Sequence, residues 1–132
     1  MSSSVDIGFL IIDDSDLSRS MMRHILTSNK YHVVGDAAKG HVGLSMVEKL
    51  QPHIVCLDVI MPDSNGIEVL KRIKEQAPQT EVLMVTGNSD RNTVTQAIQH
   101  GAAGYIVKPF NAETFLHTVE KSVAKVRAAL RK

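Results

Sequence analysis

The chain has no tryptophan, a single cysteine, four prolines and almost no net charge, and each shortage removes a class of protein. With only two tyrosines and three phenylalanines, Val, Ile, Leu, Met and Ala must fill the interior. Cys56 cannot form an internal disulfide and lies within an apolar run, so it reads as a small buried hydrophobe in a reducing, cytoplasmic setting. A formal charge of +1 offers no broad attraction to nucleic acid, and direct binding to it is not expected. No apolar run approaches the roughly 20 residues of a membrane span, and the start, Met1-Ser2-Ser3-Ser4-Val5-Asp6, lacks the features of a signal peptide. A soluble protein is expected. Neither repeats nor a Pro/Gly/Ser-rich linker divides the 132 residues, which predict a single domain with its core at about residues 6–128.

What is present is a set of short apolar runs, each ending on a residue useful in phosphoryl chemistry. Phe9-Leu10-Ile11-Ile12 runs into Asp13-Asp14, Ile54-Val55-Cys56-Leu57 into Asp58, Val82-Leu83-Met84-Val85 into Thr86, and Tyr105-Ile106-Val107 into Lys108-Pro109. The intervals between runs are long enough for one helix each, the pattern of βαβ units. Strands are predicted near 7–12, 32–36, 53–57, 81–85 and 104–107, the second being the weakest and a candidate edge. Between them, Leu17, Met21, Met22, Ile25 and Leu26 recur at helical spacing, as do Leu44, Val47 and Leu50, then Ile67, Leu70 and Ile73, then Val94, Ala97 and Ile98. Each set predicts one buried helix face. His100-Gly101 reads as a helix end and Asn111 as the N-cap of a last helix with core positions Phe115, Leu116, Val119, Val123, Val126 and Leu130. Such alternation predicts an α/β, doubly wound (βα)5 three-layer sandwich with a parallel sheet.

Side chains at the carboxyl ends of parallel strands face the crevice where open α/β sheets bind ligands. Asp13, Asp14 and Asp58 would therefore meet there, and three carboxylates without a cation repel one another. Oxygen donors of this kind suit Mg²⁺. Asp58 opens Asp58-Val59-Ile60-Met61-Pro62-Asp63-Ser64-Asn65-Gly66, a loop by its Pro and Asn-Gly, and its carboxylate can accept a phosphoryl group to form an acyl phosphate. Thr86 can donate to a phosphoryl oxygen, Gly87 leaves room beside it, and Lys108 can pair with Asp58. Pro109 raises the option of a cis bond after Lys108, against the trans default. Asp36 is expected at the surface, Met21 and Met22 in the core, and His24, His32, His41, His53, His100 and His117 show no ligand-like spacing with carboxylates.

In this order, Asp13-Asp14, Asp58 with Met61-Pro62 and Gly66, Thr86-Gly87, Tyr105 and Lys108-Pro109 resemble the receiver domain of two-component response regulators, the CheY-like family. The resemblance implies a flavodoxin-like sheet of order 2-1-3-4-5, with the first and third strands adjacent. It implies that Asp58 is the phosphoacceptor for a histidine kinase or phosphotransfer protein. Asp14, Asp58 and the backbone carbonyl of Ile60 would hold Mg²⁺, with Asp13 acting through water. Thr86 and Tyr105 would be a switch pair, and the face made by the fourth helix, fifth strand and fifth helix would meet a downstream protein. Such a switch is not an enzyme beyond its own phosphoryl transfer and slow loss of phosphate, and is a monomer or weak homodimer. Ile60 and Asn88 would flank the path of an attacking water, so an apolar Ile60 predicts a long-lived phosphoryl group.

Two other readings use the same residues less well. A haloacid-dehalogenase-like phosphohydrolase needs a second acid two residues after its nucleophile, where this chain has Ile60. A dinucleotide-binding module needs a glycine-rich turn after the first strand, where this chain has Asp13-Asp14-Ser15-Asp16. Within the receiver reading, a stand-alone chemotaxis-type or phosphorelay protein is favoured over a module from a transcription factor or second-messenger enzyme.

Overall fold

The structure, a computed structural model, describes residues 7–87 and 90–131. The sequence readings on residues 1–6 and on Asn88 lie outside the described residues. In chain order the elements are β1 (Gly8–Ile12), α1 (Asp16–Ser28), β2 (His32–Ala37), α2 (Gly40–Leu50), β3 (Ile54–Leu57), α3 (Gly66–Gln76), β4 (Glu81–Thr86), α4 (Arg91–Gln99), β5 (Gly104–Val107) and α5 (Ala112–Leu130). The strands form one parallel sheet of order β2-β1-β3-β4-β5, so β2 is an edge and β1 lies against β3.

Alternation along β1 separates two cores. Phe9 and Ile11 join Cys56, Leu83 and Val85 under Met22 and Leu26 of α1 and Phe115, Val119 and Val123 of α5. Leu10 and Ile12 join Leu57, Val82 and Met84 under Val47 of α2, Leu70 and Ile73 of α3 and Ala97 of α4. Both faces of the sheet are thus covered, which is why the inner strands read as apolar runs, whereas the edge strand β2 carries His32, Gly35 and Asp36. α2 sits especially close, because a Cβ at Gly43 would fall 2.4 Å from Cδ1 of Ile12.

The helix sets are narrower than the spacing predicted. Leu17, Met21, Leu50, Ile98 and Leu130 are exposed, and Leu116 is half-buried. On α1, Met22 and Leu26 define the buried line, and Met21, one residue from Met22, is turned about 100° away from it. Ile98 is displaced in the same way from Ala97, while Leu50 and Leu130 occupy the last turns of their helices. Met21 is therefore not core.

The helix starts follow local chemistry. Side-chain oxygens of Ser15, Asn65, Asp90 and Asn111 accept backbone N–H bonds from Ser18, Ile67, Thr93 and Thr114. His100 caps α4 and Gly101 follows at φ +95°, the left-handed conformation that a glycine accommodates. Only α2 lacks a cap of its own among these helices, since Lys39 makes no side-chain bond at its N-cap. Asp63, from the loop after β3, supplies it: its carboxylate accepts from the backbone N–H of Gly40 at 3.0 Å and of His41 at 3.2 Å, and meets His41 Nδ1 at 2.8 Å. The His41–Asp63 pair joins residues 22 apart in the chain, a contact that spacing along the sequence does not show.

These bonds, led by the Gly40 N–H, hold the Asp63 carboxyl well below its ordinary value of 3.8. A depressed carboxyl stabilises the fold above its unfolded pKa and loses that contribution as pH falls below it. Asp63→Ala is expected to lower the thermal midpoint at pH 7, and the difference from wild type should shrink as the buffer is taken below pH 3.8; equal midpoints at pH 7 would show that α2 needs no tertiary cap.

Candidate functional site: a carboxylate cluster at the sheet edge

Direct pairing of β1 with β3 builds the site. Ile12 lies opposite Leu57, and the Asp58 N–H donates to the Ile12 carbonyl at 3.0 Å, so the residues that follow the two strands emerge together. One oxygen from each of Asp13, Asp14 and Asp58 lies within 4.8 Å of the others. Asp13 is wholly buried, Asp58 nearly so, and Asp14 is exposed.

Asp13 is fixed on every side. Its N–H donates to the Ala37 carbonyl at 3.0 Å, its Oδ1 accepts from Ser15 N–H at 2.9 Å, and its carbonyl accepts from Arg19 Nη1 at 2.6 Å. Lys108 Nζ lies 2.7 Å from Asp13 Oδ2 and 3.4 Å from Asp58 Oδ2. The ammonium thus bridges two carboxylates and lies nearer Asp13, where the sequence reading paired it with Asp58. A cation between two acids relieves both repulsions at once. Lys108 is positioned by its own backbone, whose N–H donates to the Thr86 carbonyl at 2.9 Å, and its bond to Pro109 is cis.

Burial pushes the Asp13 carboxyl up from 3.8, opposed by Lys108 and the Ser15 N–H and assisted by the charge of Asp58. All three clustered acids offer oxygen, and Asp13 Oδ2, although ion-paired, accepts no well-formed hydrogen bond. That donor set fits a hard divalent cation such as Mg²⁺.

The loop bearing Asp58 is closed on itself. Ile60 N–H donates to Asp58 Oδ1 at 3.3 Å, Ile60 bridges Asn65, and Gly66 N–H donates to the Val59 carbonyl at 2.6 Å. This return brings Gly66 so close that a Cβ there would lie 2.2 Å from the Asp58 carbonyl oxygen and 2.5 Å from Val59 Cα. The glycine is a steric requirement of the loop. Ile60 projects outward, 64% exposed, beside the cluster.

Thr86 ends β4 and is buried, while Gly87 is exposed and a Cβ there would meet nothing within 4 Å. Tyr105 is half-buried on β5 opposite Met84, and in that parallel register it shares a sheet face with Met84 and Thr86. Burial raises its phenol, and the charges of Asp58 and Asp90 raise it further, so the ring senses the acidic site. Asp36 is half-exposed on the edge strand and paired with Arg23 at 2.7 Å. The sequence reading gave no part to Asp63 or Arg19, whose partners are identifiable only once the loops are folded.

Three outcomes follow from this geometry. Asp13→Asn should raise the thermal midpoint in EDTA at pH 7, and the gain should fade on acidification, because a carboxyl with a raised pKa costs stability when ionised and regains it as pH falls. Mg²⁺ at 100 times its Kd should stabilise the wild type by about 2.7 kcal/mol, measured as a ligand-dependent shift. Gly66→Ala should cost about 1–3 kcal/mol by overpacking and weaken Mg²⁺ binding, since Asp58 must move; calorimetry on that variant would reveal an unaltered site if the contact is relieved elsewhere.

Comparison with known proteins agrees with this arrangement. The response regulator receiver domain family matches residues 9–120. A chemotaxis protein CheY of Listeria monocytogenes is 34% identical over 116 residues, which cover 88% of this chain and 98% of that protein. Among solved structures, a CheY-like response regulator receiver domain protein of Methanospirillum hungatei superposes with a TM-score of 0.89 at 26% identity, covering 96% of this chain and 99% of that one. A CheX–CheY–BeF3–Mg complex from Borrelia burgdorferi gives 0.85 at 28% identity, covering 87% of each chain. No helix among the described residues is long and apolar enough to cross a membrane. With the sheet order, the acidic cluster and these similarities in agreement, the chain belongs to the response regulator receiver domain family of two-component signalling.

Proposed function

We propose that this chain is a phosphorylation-activated switch, a single receiver domain over residues 1–132 with its core at about 6–128, in which Asp58 accepts a phosphoryl group from the phosphohistidine of a histidine kinase or phosphotransfer protein. The observation that carries this reading is the convergence of Asp13, Asp14 and Asp58 within 4.8 Å, with Lys108 reaching two of them. An Asp58 carboxylate oxygen attacks phosphorus, a P–O bond forms as the P–N bond breaks, and the imidazole leaves with the electron pair and takes up a proton. Asp14, Asp58 and the Ile60 carbonyl would hold Mg²⁺, with Asp13 reached through water; when bound, the ion offsets the repulsion between an anionic donor and an anionic nucleophile. The related CheX–CheY complex of Borrelia burgdorferi contains Mg together with BeF3, which supports that choice of metal.

Lys108 then has a role on both sides of the transfer. Before it, the ammonium holds the two buried acids together; afterwards, its contact 3.4 Å from Asp58 lets it pair with the new phosphoryl oxygens. Thr86 is buried at the next strand end and supplies a hydroxyl, and Tyr105 shares its sheet face on β5. Movement of Thr86 toward the phosphoryl group, with Tyr105 turning inward, alters the surface of α4, β5 and α5 that a downstream protein reads. Ile98 and Val107, exposed on α4 and β5, supply apolar area on that face. The similarity to chemotaxis proteins supports a protein-binding output of this kind, in the cytoplasm.

Incubation with acetyl phosphate and Mg²⁺ tests the chemistry. Intact-mass spectra should show one added phosphoryl group on the wild type, none on Asp58→Ala and none in EDTA; an adduct that persists in Asp58→Ala would place the acceptor elsewhere. Ile60→Asn should shorten the phosphoryl lifetime, since a polar side chain at this exposed position can orient an attacking water, and an unchanged decay rate would remove Ile60 from control of hydrolysis. Lys108→Ala should fold yet fail to alter α4 and β5 on phosphorylation, a change followed by amide chemical shifts.

A further inference from the structure

Arg19 makes the contact to the carboxylate cluster that no step above uses. Its Nη1 donates to the Asp13 carbonyl at 2.6 Å, its Nη2 donates to the Asp16 carboxylate, and its Nε lies 3.9 Å from Asp36 Oδ1. Asp36 is held in turn by Arg23, at 2.7 Å through its other oxygen. The Arg19 side chain is only 17% exposed. Asp16, Arg19 and Arg23 fall at i, i+3 and i+7 on α1, hence on one face, the face that meets Asp36 on β2. The guanidinium is flanked by two acids and directs one N–H at one carbonyl.

That carbonyl belongs to the peptide plane that also carries the Asp14 nitrogen. Peptide planes are rigid, so the atom that pins the Asp13 carbonyl also fixes where the Asp14 N and Cα lie, from which its side chain starts. The Asp14 carboxylate needs such a constraint. It is exposed and, among the described residues, makes no hydrogen bond or ion pair, whereas Asp13 and Asp58 are both tethered by N–H donors and by Lys108.

We propose that Arg19 is a positioning residue of the cluster, which acts through the Asp13–Asp14 peptide plane to keep the Asp14 carboxylate in reach of a divalent cation shared with Asp58. The inference rests on the reading of the cluster as a Mg²⁺ and phosphoryl site. Residues that orient ligands without touching the ion cost about 10–100-fold in metal affinity when removed. Simple electrostatics predicts the reverse sign, because deleting a positive charge near a dication site favours the dication. The direction of the change therefore separates the two accounts.

The test compares Mg²⁺ dissociation constants from titration calorimetry for the wild type, Arg19→Met, Arg19→Lys and Asp36→Asn, together with metal-free amide spectra in EDTA. Arg19→Met should weaken Mg²⁺ about tenfold and shift the Asp14 amide without metal. Its phosphorylation rate with acetyl phosphate should recover towards that of the wild type once Mg²⁺ is saturating. Arg19→Lys, which keeps one donor, should restore part of the affinity. Asp36→Asn, which only loosens the far anchor, should weaken Mg²⁺ by less, a direction that loss of its charge also predicts; Arg19→Lys, which keeps the charge and loses affinity only through geometry, is therefore the deciding variant if Arg19→Met does not fold. Unchanged or tighter Mg²⁺ binding in the deciding variant would overturn the role of Arg19 while leaving the switch intact. A wild type that binds no Mg²⁺ would instead overturn the reading of the cluster, and this inference with it.

Discussion

The adjacency of β1 and β3 is the constraint on which the rest of the molecule depends. Two strands distant in sequence end side by side, and each is followed at once by an acid that has nowhere to go but the shared edge. Burying Asp13 and Asp58 together is unfavourable unless positive charge lies between them, and Lys108 provides it from the end of β5. The outermost strand and the two inner ones are thereby connected through charge, across a sheet whose backbone already connects them by hydrogen bonds. On the proposed reading, a phosphoryl group added to Asp58 changes the partner that Lys108 prefers, and the disturbance reaches β5 by the shortest route available.

The supporting structure around the cluster divides into two halves with different logic. On the Asp13 side, α1 and the edge strand β2 hold backbone groups: the Ala37 carbonyl takes the Asp13 N–H, and Arg19 takes its carbonyl. On the Asp58 side, the loop holds itself by the Ile60–Asn65 bridge and the close return of Gly66, and its far end reaches back to cap α2 through Asp63. On the proposed reading, rigid placement of the Asp13 half and a self-contained loop on the Asp58 half suit a phosphoryl group that comes and goes on Asp58 while its neighbours stay put.

Much of this was legible in the chain. Four of the five strands are recoverable as apolar runs because both sheet faces are covered there, β2 with His32, Gly35 and Asp36 being the weak one, and the ordered residues at the strand ends identify the family as a set although none does so alone. Asn111 and His100-Gly101 mark helix ends for local reasons that any sequence reading can use. Helix burial was less legible: Leu17, Met21 and Ile98 fit the spacing yet face outward, because hydrophobicity alone does not tell how wide a stripe the neighbouring layer will cover.

What the order of residues established was the alternation of elements and the inventory of the site, since periodicity and strand ends are local properties. Which acids touch, and through what, depended on packing. Lys108 lies nearer Asp13 than Asp58, Asp63 caps a helix that begins 23 residues before it, and Arg19 grips a carbonyl rather than a carboxylate. Each of these is a contact between elements whose separation along the chain carries no distance information, so it exists only once the crossovers have folded the strands into order and closed the loops over them.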